Sequence, residues 1–129
     1  MILDTDALIS LMNADASADK AIRDLEEKEN QILTTIISAY ELLRGAYISS
    51  NPEKNLAKIR DLLSNINILD LTMQACEEAS KIYQDLRKKG CLIGEYDVLI
   101  AGIARANAEK VLTRDVHFKL VKGLDTVRW

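Results

Sequence analysis

Histidine is almost missing from this chain of 129 residues: His117 is the only one, and cysteine occurs twice, as Cys76 and Cys91. A lone histidine with no nucleophile motif beside it leaves a Ser-His-Asp triad unsupported. The cysteines form no CxxC and no Cys/His ligand spacing, so a zinc site is not expected and reduced thiols are the default. Glycine (5) and proline (1) are sparse, and there is no low-complexity stretch or internal repeat. No apolar run approaches the roughly 18 residues of a membrane span. Met1 opens directly into an apparent strand, not into a basic and then apolar signal sequence. A cytoplasmic protein without membrane association is the expectation. The formal net charge of −3 argues against strong nonspecific nucleic-acid binding by the bare chain. It does not argue against an acidic centre ringed by a few local cations.

What is present suits one soluble domain over residues 1–129. Apolar residues make up 48% and charged residues 29%, and the length is enough to bury a core. Residues 1–4 are a short apolar run and 6–13 look helical. Over 17–29, Ala18, Ala21, Ile22 and Leu25 recur at helical spacing opposite a charged face. Residues 32–37 are β-branched and read as a strand, with a helix over 38–49. Asn51-Pro52 is a helix-start signal for a helix running to about Leu63. A strand over 66–71 follows. Thr72 then caps a long helix with Cys76, Ala79, Tyr83 and Leu86 on one stripe, ending in Arg87-Lys88-Lys89-Gly90. Residues 96–108 form an Ala- and Gly-rich helix suited to packing closely on a sheet. The last strands are 111–113 and 126–129. Alternating strands and helices imply an α/β fold, a parallel sheet with helices on both faces. Its sites lie at the carboxyl ends of strands, near the topological switch point.

Four acids occupy such places: Asp4 after the first run, Glu41 one turn into a helix, Asp97 near a helix start, and Asp115 after the 111–113 strand. Each has an ordinary alternative. Ser38-x-x-Glu41 matches a capping box, Asp4 or Asp6 can cap the first helix, Asp115 can cap a turn, and Asp97 favours a helix dipole. As a set they say more. Two carboxylates about 4 Å apart repel by roughly 4 kcal/mol at an effective dielectric of 20, so gathering several requires protonation or a cation. Oxygen-preferring Mg²⁺ or Mn²⁺ is the natural partner. The other sixteen acids, such as Asp24, Glu26, Glu27, Glu77 and Glu78, are scattered on polar helix faces. Glu95, near Asp97, reads as loop charge.

Leu3-Asp4-Thr5-Asp6, Ser38-x-x-Glu41-Leu42-x-x-Gly45, Asp97-x-x-Ile100-Ala101 and Leu112-Thr113-x-Asp115-x-x-Phe118, closing on Trp129, resemble the PIN domain. More narrowly they resemble the ribonuclease toxins of VapBC toxin–antitoxin pairs. The resemblance covers essentially the whole chain. It implies a three-layer α/β/α sandwich with a five-stranded parallel sheet of order 3-2-1-4-5, and Mg²⁺- or Mn²⁺-dependent endonucleolytic cleavage of single-stranded RNA. Carried over by motif, Asp4, Glu41, Asp97 and Asp115 are the catalytic acids. Asp4 and Asp97 are the firmest metal ligands, with Asp115 close behind, and Glu41 holds a second ion or a metal-bound water. Thr5 and Thr113 would orient the carboxylates. An antitoxin protein seated in a groove of nearby helices and a homodimer are the implied partners. Gly102 stands where the family usually has alanine, a packing change. Asp6 stands where Asn or Ser is common, so it lines the rim or caps the first helix. Arg44, Arg114 and Lys119, close to motif acids, are candidates for positioning RNA.

Three other readings bear weighing. A PIN nuclease of RNA maturation or turnover shares the same site. A degenerate PIN module serving as a binding scaffold has no reason to keep four mutually repelling carboxylates. Asp4-x-Asp6 also resembles haloacid-dehalogenase phosphatases, but Leu8 stands where that family has Thr or Val, and a supporting lysine motif is missing.

Overall fold

The computed structural model describes residues 1–28 and 31–129. Five short strands carry the fold: β1 (Ile2–Leu3), β2 (Leu33–Thr35), β3 (Asn67–Leu69), β4 (Val111–Leu112) and β5 (Thr126–Val127). All pair in parallel, in the order β3-β2-β1-β4-β5. The chain winds outward from β1 through β2 to β3, then returns to the other side of β1 for β4 and β5. The switch point therefore lies between β1 and β4, where Ile2 pairs with Val111 and Leu3 with Leu112.

Strand alternation divides the core. Leu3 and Leu112 join a cluster with Leu8, Ile22, Leu42, Ala46, Leu56 and Ile59, from α1 (Thr5–Met12), α2 (Ala16–Glu26), α3 (Ile36–Tyr47) and α4 (Pro52–Ser64). Ile2, Leu33 and Val111 face the other way and pack with Ala104 of α6 (Glu95–Ala106). Behind them α6, α5 (Met73–Lys88) and a 3₁₀ turn over Val116–Leu120 share a cluster of Ile82, Leu86, Val98, Ile100 and Phe118. Helices thus cover both faces of a parallel sheet, and the central strands are apolar on both sides.

Several local expectations shift. The 32–37 strand ends at Thr35, because the Thr35 side chain accepts the Ser38 amide and caps α3. The capping box built on Ser38 is therefore not formed, and Glu41 is released for another partner. Asn51 sits at the N-cap of α4, with Pro52 at its first position, but makes no side-chain cap bond. Thr72 does cap α5, accepting from Ala75 N. The buried stripe of α5 is Ala75, Ala79, Ile82 and Leu86, while Tyr83 is exposed, a rotation of the expected stripe toward smaller residues. The expected end of the second helix at Glu29 lies outside the described residues. Gly90 takes a left-handed φ of 68°, as a residue just past a helix end does. Among the described residues no helix is long and apolar enough to cross a membrane.

The smallness of α6 serves two contacts: Ala104 packs on the sheet as expected, and Gly102 meets a helix. A Cβ on Gly102 would lie 2.6 Å from Ala79 Cβ and 2.7 Å from the Ala75 carbonyl. The α5–α6 contact is closed at a position where only hydrogen fits.

Candidate active site

Four short stretches deliver carboxylates to the carboxyl edge of the sheet. Asp4 follows β1 directly and caps α1, its Oδ1 accepting Ala7 N at 2.8 Å. It is only 4% exposed. Glu41 lies on α3, whose early start after β2 brings it opposite Thr5; the Thr5 hydroxyl donates to Oε1 at 2.8 Å. Asp97 is in the first turn of α6, behind Gly94, which offers no side-chain cap. Asp115 follows β4 and caps the 3₁₀ turn, its Oδ1 accepting His117 N at 2.8 Å. Nδ1 of His117 stands 2.8 Å from the same oxygen.

All four acids line one pocket of about 120 Å³, together with Thr5, Asp6, Ile100 and Phe118. That is well above the roughly 15 Å³ a single water requires. The pocket lies at the switch point, where an open α/β sheet places its ligands. Its floor is Ile100 and Phe118, both almost wholly buried, so the carboxylates face a wall of low polarizability on one side.

The electrostatics follow from that crowding. Burial pushes the Asp4 carboxyl from 3.8 up to about 6; the charges of Asp6 and Asp115 add to the effect, and hydrogen bonds from Thr113 and the Ala7 amide oppose it. Asp97 is likewise raised to about 6, by burial first and then by the charges of Asp115, Glu41 and Asp4, with His117 opposing. Each acid is felt by others of the set. Among the described residues no group of three or more His, Cys, Asp or Glu side chains is already gathered as a ligand cage. The carboxylates share a pocket but stand apart, as mutually repelling charges do.

Hydroxyls hold them. Thr113 accepts the Asp115 amide at 2.9 Å and hydrogen-bonds Asp4, tying the first and last acids together. Thr5 is also 3.1 Å from Ser38 Oγ. Thr5, Ser38, Thr35 and Thr113 are buried or nearly so, which fixes their rotamers. Asp6 is exposed and lines the rim; the cap belongs to Asp4. Glu95 lines a neighbouring depression instead.

The three candidate cations separate. Arg114 stacks over Trp129 at 3.6 Å from the ring centroid and donates Nε to the Trp129 carbonyl at 2.9 Å. Arg44 lies over Tyr40 and Tyr96 and bonds the Tyr96 hydroxyl. Lys119 is exposed. Sequence reading did not single out the two tyrosines, although each immediately precedes a motif acid. Asp115 caps a turn as its sequence position allows, and the same turn folds the His117 ring back onto it.

A doubly wound parallel α/β domain with an acidic pocket at its switch point defines the class. The PIN domain family matches residues 1–124. The tRNA(fMet)-specific endonuclease VapC of Shigella flexneri is 32% identical over 102 residues, 78% of this chain and 77% of that protein. Ribonuclease VapC2 of Haemophilus influenzae (strain Rd) is 34% identical over 104 residues, 80% of this chain and 79% of the relative. The crystal structure of VapBC2 from Rickettsia felis bound to a promoter DNA fragment superposes with a TM-score of 0.92 at 28% identity, covering 99% of this chain and 97% of that one. VapBC-1 of nontypeable H. influenzae gives 0.87 at 28% identity, with coverage of 99% and 96%. The chain belongs to the PIN-domain family and, within it, to the VapC ribonucleases.

Proposed function

We propose that this chain is the ribonuclease toxin of a toxin–antitoxin pair, hydrolysing phosphodiesters within single-stranded RNA with Mg²⁺ or Mn²⁺ at the acidic pocket. The convergence of Asp4, Glu41, Asp97 and Asp115 on one pocket, in a chain of this family, carries the reading. The donor set fits a hard dication: every carboxylate offers oxygen, and neither cysteine lines the pocket. Asp4, Asp97 and Asp115 would hold the ion, and Glu41 a second ion or a metal-bound water. Such an ion supplies a water of lowered pKa and offsets the charge that builds on the phosphate.

The chain's own groups do the rest. Thr5 holds Glu41, Thr113 holds Asp4 and the His117 amide holds Asp115, so the oxygens keep their directions without rearranging when substrate arrives. Ile100 and Phe118 close the inner side of the pocket to water. The relatives at 32% and 34% identity that are named for tRNA(fMet) make that RNA the first substrate to try.

The antitoxin would seat beside this site. Ile9, Met12, Leu42, Gly45, Ala46 and Ile59 line a groove of about 270 Å³ between α1, α3 and α4, and it opens onto Thr5 and Glu41. A peptide with an apolar face laid there would reach the acidic pocket. The VapBC structures are toxin–antitoxin complexes, which supports such a partner. Exposed apolar residues elsewhere, Met73 and Leu92 among them, support pairing into a homodimer, and the free thiols Cys76 and Cys91 suit the cytoplasm.

The test is cleavage of an RNA panel, initiator tRNA included, with Mg²⁺, Mn²⁺ or EDTA and an Asp97→Asn control. Cutting that needs the dication and the carboxylate supports the reading. Folded protein that neither cuts RNA nor binds Mn²⁺ in calorimetry would overturn it.

A further inference from the structure

Two tyrosines and an arginine stand beside the acidic pocket where α3 meets α6. Tyr40 immediately precedes Glu41, Arg44 follows one helical turn on, and Tyr96 immediately precedes Asp97. The rings of Tyr40 and Tyr96 meet edge to face, with centroids 5.8 Å apart and planes at 79°. The Arg44 guanidinium lies 5.4 Å and 5.2 Å from their centroids, and Nη1 donates to the Tyr96 hydroxyl at 2.8 Å. A depression of about 280 Å³ lined by Glu41, Gly94, Glu95, Tyr96 and Asp97 continues the acidic pocket toward the cluster; the two share Glu41 and Asp97.

Core packing does not account for this group. Tyr40 is 50% exposed, Arg44 is exposed, and none of the ion pairs among the described residues engages Arg44. An arginine steadied by two rings, and not neutralised by a carboxylate, keeps guanidinium donors for an outside acceptor. A phosphodiester approaching four carboxylates is repelled, and a cation one turn from Glu41 offsets that. An exposed tyrosine face stacks any base, whatever its identity.

We infer that Tyr40, Tyr96 and Arg44 form a positioning subsite for single-stranded RNA: Arg44 engages a phosphate flanking the cut, and Tyr40 stacks under a neighbouring base. The inference rests on reading the acidic pocket as a ribonuclease centre. Arg114, pinned on Trp129, takes no part.

The test uses the full chain and a short mixed-sequence, fluorescein-labelled oligoribonucleotide. Affinity is read by anisotropy at several salt concentrations in an Asp97→Asn background, and KM and kcat are read with Asp97 intact. Arg44→Ala should weaken binding and raise KM by roughly tenfold and reduce the salt slope by about one. Tyr40→Ala should weaken binding by roughly tenfold while Tyr40→Phe, which keeps the ring, stays close to the parent. In each case KM should move far more than kcat. Tyr47→Ala, which removes another exposed tyrosine from the same helix, should leave affinity unchanged. Parental affinity, KM and salt slope in both alanine variants of the cluster, in a protein that still cuts RNA, overturns the subsite and leaves the nuclease standing. An altered mass in light scattering with RNA affinity intact overturns it in favour of a protein contact. Folded wild-type protein that neither binds nor cuts RNA overturns both readings.

Discussion

The hydroxyl of Thr5 donates to Oε1 of Glu41 across 2.8 Å, although 36 positions separate the two in sequence. One residue follows β1 and the other rides the helix that follows β2, so the bond measures the register between neighbouring strand–helix units. It also gives Glu41 a fixed direction in a pocket of like charges.

Thr5→Val keeps the shape and removes the donor. The expected result is a fall of roughly tenfold in RNA cleavage at a stability cost of about 1 kcal/mol. Thr5→Ser, which restores the hydroxyl, should recover most of the activity. Urea unfolding beside the cleavage assay separates the two effects. Equal loss in both variants would show that the methyl group, not the bond, matters.

Acidity provides a second handle. Asp4 and Asp97 sit at about 6 against an ordinary 3.8, so the folded chain holds more protons than the unfolded one between those values. Stability of the metal-free protein therefore falls as pH rises through that window and levels off above it. For buried Asp4 the effect is about 3 kcal/mol; Asp97 is more open to water and contributes less. Below the window, Asp15 and Asp85, held low by hydrogen bonds from Ser17 and Lys89, act in the opposite direction. In EDTA, Asp97→Asn should raise the melting temperature at about pH 7.5 more than at about pH 5, while abolishing cleavage. Mn²⁺ should stabilise the wild type more at the higher pH, because a cation favours the ionised acids. Equal gains at both pH values would sink the account.

The fold was legible because its signals are local. β-branched runs, the proline at α4, the threonine at α5 and the glycine beyond it each act within a few residues, and alternation then dictates a parallel sheet. The four acids were legible because each ends a strand or opens a helix, and their convergence follows from the sheet. What stayed hidden depends on distant partners. Ser38 looked like a cap until Thr35 took that role, and Glu41 then turned to Thr5. The stripe of α5 is set by how near α6 comes, which no periodicity encodes. Nothing local marks Tyr40 and Tyr96 as partners; the α3–α6 approach brings them together.

The approach of α5 to α6, by contrast, depends on Gly102. With the added Cβ at 2.6 Å from Ala79 Cβ and under 3 Å from the backbone of α5, Gly102→Ala must push the helices apart. Restoring the residue common in the family should destabilise this chain by roughly 1–3 kcal/mol, against a small gain in helix propensity of about 1 kcal/mol. Asp97, one turn and a half upstream on α6, would shift with its helix, so cleavage should fall as well. Chemical denaturation reads the first effect. A Gly102→Ala protein as stable as the parent would mean that α5 yields there without strain.

Arg114 makes the contrasting case to Arg44. Its stacking on Trp129 and its bond to the Trp129 carbonyl fasten the segment after β4 to the segment after β5. Arg114→Ala should cost about 1 kcal/mol of stability, from the lost cation–π contact. It should leave RNA affinity and its salt slope unchanged, since a guanidinium already engaged by the Trp129 ring, the Trp129 carbonyl and Ser17 has little to offer a phosphate. Anisotropy over a salt series beside thermal melting makes the comparison. A salt slope that drops by about one, as for a direct phosphate contact, would instead make Arg114 part of the RNA path and Trp129 its support.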